Sequence, residues 1–364
     1  MLVHPDQLVE KCLITRDVYA ETNYPIVKKD TIVSATHIKV LKDFLIDEVE
    51  VSPRLVNGKP FKLNQSVSVK KERKKQPKVK KDKLSFLDHY LTVVNQYEKI
   101  FKQLQSGSPL DIQAVREIIV PLIERVDEHL AEIFLLSKYA TKEKYLVHHS
   151  VAVSLLATIV AKRLGYIRES TQIAIAALIA DSGMARINHR LLKHPGLLSH
   201  SDFEEIKKHP TFTYRFIEHN LALTQEAKLG VLQHHERIDG KGYPLGISGE
   251  KINIYAKIIA IVDAYHAMTS ERFHQEKQPF FLAVMNMRKH ENTQFDARLL
   301  KVFMTCLEDA LLEEKVYLSN GKTGTIVGLR FSSDPEFIVK IHDSLEIISI
   351  MDHEQLWVEN LIQR

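Results

Sequence analysis

Cysteine is scarce: the chain holds only Cys12 and Cys306, far apart and in no Cys-x-x-Cys spacing. That excludes a disulfide framework and a thiolate metal site, so any metal must be held by histidine and carboxylate. No apolar run approaches the roughly 20 residues that span a bilayer. The first residues, with His4, Asp6 and Glu10, lack the basic-then-apolar order of a secretory signal. No transmembrane segment is expected, and the cytoplasm is the default compartment. No internal repeat marks a solenoid.

What is present is ordinary for a globular chain: 364 residues, 45% apolar, enough for two or three modules with at least one sizeable core. The net charge of +4 is a local effect. Residues 70–83 hold nine Lys or Arg against two acids, a net of +7, which leaves −3 for the rest. The run has no interleaved aromatics and carries Pro77 in its middle. It reads as a solvated basic linker over 67–84, and no specific nucleic-acid binding is expected.

Hydrophobic spacing divides the remainder. Residues 1–66 mix short β-branched stretches (Cys12 to Thr15, Tyr24 to Val27, Val49 to Val51) with a helical pattern at Ile38, Leu41 and Leu45, which predicts a small α/β module. Residues 85–140 have helical spacing and predict a connector. From 141 to 313 nearly every segment keeps the 3.6-residue period, with Ser201-x-x-Glu204 resembling a capping box, so a helical bundle is expected. Residues 314–364 change texture again. Val316-Tyr317-Leu318, an Asn320-Gly321 turn, Thr325 to Val327, Phe337 to Val339 and Leu345 to Ile348 predict a small β module. The fold class is therefore mainly α, a helical metal-site bundle between small α/β and β flanks.

Several ionisable residues fall on apolar helical stripes. Asp263 is in line with Ala256, Ala260 and Ala267, Asp181 follows Ala174, Ala177 and Leu178, His149 precedes Ala152, Val153 and Leu156, and His234 follows Ala227 and Val231. A buried charge alone costs several kcal/mol. One shared divalent cation would compensate all four, although a single such residue is more often a core group bonded to the backbone. His234-His235 puts two imidazoles about 100° apart at one helix end. The following loop, Asp239-Gly240-Lys241-Gly242-Tyr243-Pro244, suits close ligand approach or, equally, a tight helix-ending turn.

His234 to Pro244 (HHERIDGKGYP), then Ile252-Asn253-Ile254 and VDAYHAMTSER from Val262 to Arg272, resembles the signature of the HD-GYP family of HD phosphohydrolases. The likeness spans roughly 145–300 and makes 141–313 an HD-GYP-like domain. It implies a helical fold, a two- or three-metal centre of iron or manganese, and hydrolysis of cyclic di-GMP. Carried over residue by residue, it makes His149, Asp181, His209, His234, His235 and Asp263 the metal ligands. Asp181 bridges two ions and would be the catalytic bridge if the chain is active. Asp239, Gly242, Tyr243, Pro244 and Arg272 become candidate ligand contacts.

The pattern is also broken. The histidine expected before the bridging aspartate is Ala180, the lysine of the same motif is Met184, the second aspartate of the later motif is His266, and the glutamate of three-metal members is Tyr145. One or two ions are therefore expected. His266, three residues after Asp263, could supply a substitute imidazole or point elsewhere, with His148 a weaker candidate. The resemblance thus implies a cyclic di-GMP receptor or weak enzyme. An active phosphodiesterase with an altered metal set and an inactive interaction scaffold are the alternatives. A protein partner at the flanking modules and a homodimer are left open.

Overall fold

The computed structural model describes all residues except 4, 19–24, 44, 45, 47, 62–83, 195, 197, 198, 274, 333, 334, 351–355, 363 and 364, and the side chains of 2, 6, 42 and 43. The basic run, Tyr24 and Leu45 therefore lie outside the described residues. The chain divides into two compact units, Met1–Asp82 and Lys83–Arg364.

In the first unit β1 (Leu2–Val3) pairs antiparallel with β2 (Val49–Glu50), and α1 (Ala35–Asp43) packs against the 3₁₀ turn Pro5–Gln7. The stretches around Ile14 and Val27 form single bridges rather than full strands, Leu13 to Ile32, Ile14 to Val51 and Val18 to Val27. Their apolar side chains nevertheless build the core, with Cys12, Ile14, Leu41 and Val51 almost fully buried.

The second unit is helical until residue 311. Its helices are α2 (Phe86–Gln105), α3 (Ile112–Ile123), α4 (Leu130–Phe134), α5 (Tyr145–Arg163), α6 (Ser170–Ile179), α7 (His189–Leu192), α8 (His200–Ile206), α9 (His209–Ile217), α10 (Gln225–Gln233), α11 (Ile254–Thr269), α12 (Phe280–Lys289) and α13 (Ala297–Leu311). A 3₁₀ segment, Ala180–Arg186, continues α6. The capping residue of α8 is Ser199, whose hydroxyl accepts the Asp202 N–H, and not Ser201 as the capping-box spacing suggests. The helix starts two residues earlier than that spacing implies, and Glu204 pairs instead with Lys207.

Every residue from Val147 to Ala161 is buried, so α5 runs through the centre of the bundle. By length and composition α5, alone among the described helices, could cross a membrane. However, 83% of its apolar window is buried inside the protein, as befits a core helix. The β tail forms a five-stranded antiparallel sheet in the order β6-β5-β4-β3-β7, from β3 (Lys315–Leu318), β4 (Thr323–Arg330), β5 (Glu336–Ile341), β6 (Ile347–Ser349) and β7 (Val358–Leu361). Gly321, at φ +81°, makes the expected turn between β3 and β4. One sheet face joins the helical core, where Phe337 meets Phe280 and Phe281 at ring separations of 5.4 and 5.7 Å.

Candidate metal centre

Five segments of the helical unit meet at one point. His149 comes from buried α5, Asp181 from the 3₁₀ segment, His209 from the first residue of α9, His234 and His235 from the end of α10, and Asp263 from α11. Gly183 makes this convergence possible. A Cβ there would lie 2.1 Å from the His209 carbonyl oxygen and 2.8 Å from Thr213, so glycine alone lets the 3₁₀ segment close on α9. Thr213 ties the junction, accepting the Gly183 N–H and donating to the Ala180 carbonyl, each at 2.8 Å.

Asp181 Oδ1 lies 3.1 Å from His209 Nε2 and 3.6 Å from His234 Nε2, and those nitrogens are 3.4 Å apart. His209 Nδ1 donates to the Ile206 carbonyl at 2.8 Å, and His234 Nδ1 to the Val231 carbonyl at 2.7 Å. A carbonyl only accepts. Both rings therefore carry a proton on Nδ1 and, when neutral, turn a lone pair toward Asp181. Three acceptors then face one another, and Asp181 Oδ1 is buried without a hydrogen-bond donor. A positive charge is required there, either an additional proton on an imidazole or a divalent cation.

The electrostatics agree. Burial pulls His234 down, but the bond its protonated ring would give Asp181 and that carboxylate's charge raise it above the ordinary histidine value. Burial pushes Asp181 up, yet the facing imidazoles of His209 and His234, which donate to it when protonated, hold it well below the usual carboxylate range. Burial and then the charge of His234 hold His235 well below the histidine range. One ligand atom from each of Asp181, His209, His234 and His235 falls within 4.8 Å of the others, so this group fits a metal ion.

A second group shares the same aspartate. His149 Nε2 is 2.8 Å from Asp263 Oδ1 and 3.6 Å from Asp181 Oδ2, and these three residues also converge within 4.8 Å. Burial raises Asp263, but the hydrogen bond and charge of His149 bring it to about 2. Ala180 is buried beside this group and offers no side-chain ligand. His266 does not take its place. It stands behind His149, its Nδ1 3.1 Å from His149 Nδ1. His148 points away, to the Tyr90 hydroxyl at 2.9 Å.

A cavity of about 550 Å³ opens over both groups. Its lining combines apolar Met184, Leu192 and Phe203 with the cations Lys102, Lys144 and Arg272. Tyr145 and Tyr243 also line it. The Tyr145 hydroxyl is 3.1 Å from His149 Nδ1, and the Arg272 guanidinium sits 5.6 Å from the Tyr145 ring centre. Arg272 Nε is buried without a partner. Of the other loop residues, Gly242 lines a smaller cavity of about 240 Å³, whereas Asp239 and Pro244 line neither. Asp239 serves the turn, accepting the Lys241 N–H at 3.0 Å.

Sequence reasoning passed over two contributors. Buried Glu236 accepts the main-chain N–H groups of Leu245, Gly246 and Ile247 at 2.6, 3.1 and 3.1 Å, which pins the loop. Gly242 completes the fold-back, since a Cβ there would fall 2.5 Å or less from the main chain of Glu236 and Arg237. Tyr243 is thereby laid 4.7 Å from the His235 ring. The second is α2, which supplies Glu98, Phe101 and Lys102 to the cavity wall. Charged and apolar residues at ordinary amphipathic-helix spacing carry no local mark of a site, so only helix packing identifies them.

Residues 134–299 match the HD domain family. Over 235 residues the chain is 28% identical to a cyclic di-GMP phosphodiesterase of Pseudomonas aeruginosa, covering 63% of this chain and 55% of that protein. It is 30% identical over 172 residues to a cyclic di-GMP phosphodiesterase of Thermotoga maritima, covering 47% and 46%. The chain thus spans about half the length of these relatives. Among solved structures, an HDG"Y"P protein of Bdellovibrio bacteriovorus superimposes with a TM-score of 0.50 at 16% identity, covering 83% of this chain and 97% of that one, a likeness of fold. With the shared carboxylate, the paired histidines and the Tyr243 loop in place, residues 134–299 form an HD-type domain similar to those of the cyclic di-GMP phosphodiesterases, with Ala180-Asp181 at the HD pair.

Proposed function

We propose that this chain binds cyclic di-GMP over a metal centre and acts chiefly as a receptor, with weak or no turnover. Ala180 carries this reading. The Asp181, His209, His234 and His235 group keeps four ligands, whereas the His149, Asp181 and Asp263 group keeps three and lacks an imidazole where the family has one. A bound iron or manganese ion would supply an activated water and stabilise charge on a phosphodiester oxygen. Asp181 belongs to both groups and would help hold an ion in each. Tyr243 offers a ring face for a base, and Arg272, with its unpartnered Nε, offers a donor to phosphate. Met184 leaves this wall without the lysine of the family motif, which weakens charge stabilisation further.

The relatives' activity favours cyclic di-GMP as the ligand, and the cavity volume falls in the range of sites that enclose small ligands. Residues 85–140, 141–313 and 314–364 would serve as connector, ligand domain and β module, with a protein partner at the flanks. A second reading, an active phosphodiesterase, is favoured by the His149 group still converging despite Ala180. Anaerobic purification with metal counting, then calorimetry and product analysis with cyclic di-GMP, separates the two. The receptor reading expects binding without linear dinucleotide or GMP, and turnover gained by Ala180→His with Met184→Lys. Absence of binding with manganese or ferrous iron present overturns it.

A further inference from the structure

His209 and His234 have their Nδ1 protons fixed by main-chain carbonyls, so their Nε2 lone pairs face the metal position in advance. His149 is held differently. Its Nε2 is 2.8 Å from Asp263 Oδ1, a carboxylate that attracts a proton onto that nitrogen. Its Nδ1 meets the Tyr145 hydroxyl and His266 Nδ1, each at 3.1 Å, and both partners can donate or accept. His266 is buried, its Nδ1 also 3.1 Å from the Ser270 hydroxyl, and its Nε2 is buried without any partner. Nothing therefore ties His266 to one tautomer.

For His149 to offer its Nε2 lone pair to an ion, the Nε2 proton must move to Nδ1, with no net gain or loss of protons. The new Nδ1–H needs an acceptor in a water-poor setting, because an unmet buried donor costs free energy. We propose that His266, with its own proton on Nε2, is a positioning residue that accepts the His149 Nδ1–H and so lets the His149, Asp181 and Asp263 group take up an ion; Nε2 is unpartnered in either tautomer, so the switch adds no further unmet group. Loading is then ordered. The Asp181, His209, His234 and His235 group fills first, and the His149 group fills second through His266. The inference rests on the metal reading above and concerns two positions, Tyr145 and His266, at which this chain departs from the family pattern.

The test is a titration of the full metal-free chain with cobalt(II), followed by visible absorption and chelator competition. The chain is expected to take up two ions with distinct affinities. His266→Leu, which fills the space without an acceptor, should weaken the second ion about 10- to 100-fold and alter its absorption while leaving the first unchanged. His266→Asn, whose Oδ1 can stand where Nδ1 stands, should restore the second ion to within about threefold of the original. Tyr145→Phe should leave both within about threefold, because Tyr145 is dispensable once His266 accepts. Uptake of a single ion by the unaltered chain, an unchanged second ion in His266→Leu, or no recovery in His266→Asn overturns the proposal. A chain that takes up no ion overturns the metal reading itself.

Discussion

His209 gives its Nδ1 proton to the carbonyl at the end of α8 and His234 to one in the last turn of α10, whereas His149 faces two side chains that can serve as donor or acceptor. The two halves of the centre share Asp181 and differ in preparation. The first is organised by secondary structure, since a helix end has carbonyls to spare and the neighbouring imidazole satisfies one. The second is organised by tertiary packing of α5 against α11, where the partners of His149 Nδ1 can each donate or accept. On the reading proposed above, a centre built this way would hold one ion readily and a second conditionally, which would suit recognition better than sustained hydrolysis.

The comparison is broken most severely at the shared residue. Asp181→Asn should weaken both halves by about 100-fold or more, the least expected of a direct ligand when an indirect one is worth 10- to 100-fold; elemental analysis after desalting should find no retained metal. Next, His234→Ala and His149→Ala separate the halves. The first should abolish the tight ion, and the second should leave it and lower the metal count by one.

Glu236→Ala tests whether loop and metal are independent. Three charge-assisted hydrogen bonds would be lost, and unfolding stability should fall by about 2 kcal/mol or more, with weaker cyclic di-GMP binding and unchanged metal content. The smallest effect separates the site from its scaffold. Burial, helped by the Lys144 charge, holds His148 at about 4, below the ordinary value near 6.5. Between those limits the unfolded chain binds the additional proton, so stability present above pH 6.5 is lost as pH falls toward 4. In chelator, thermal unfolding of His148→Asn should show a shallower acid limb than the unaltered chain.

Much of this was legible in chain order. The 3.6-residue period placed the bundle, Asn320-Gly321 placed the turn between β3 and β4, and the HHERIDGKGYP string marked the domain. The six residues expected as ligands come together in two groups that share Asp181. The contributions of Glu236 and α2 were not legible, because an acid that caps a loop 9 to 11 residues later and a helix that walls a distant cavity have no periodic signature. Nor was the Ser199 cap, since two serines at adjacent offsets satisfy similar spacing rules.

By itself the sequence determined the class of chemistry, because residue types limit which donors exist: imidazoles and carboxylates without thiolates, and methyl where the family has an imidazole. Only the tertiary structure decided how those donors are presented. His266 illustrates the division. Its offset from Asp263 allowed a ligand, but the angle at which α11 packs on α5 sends its ring behind His149. Spacing along one helix sets the face a side chain occupies, and the packing of two helices sets what that face meets.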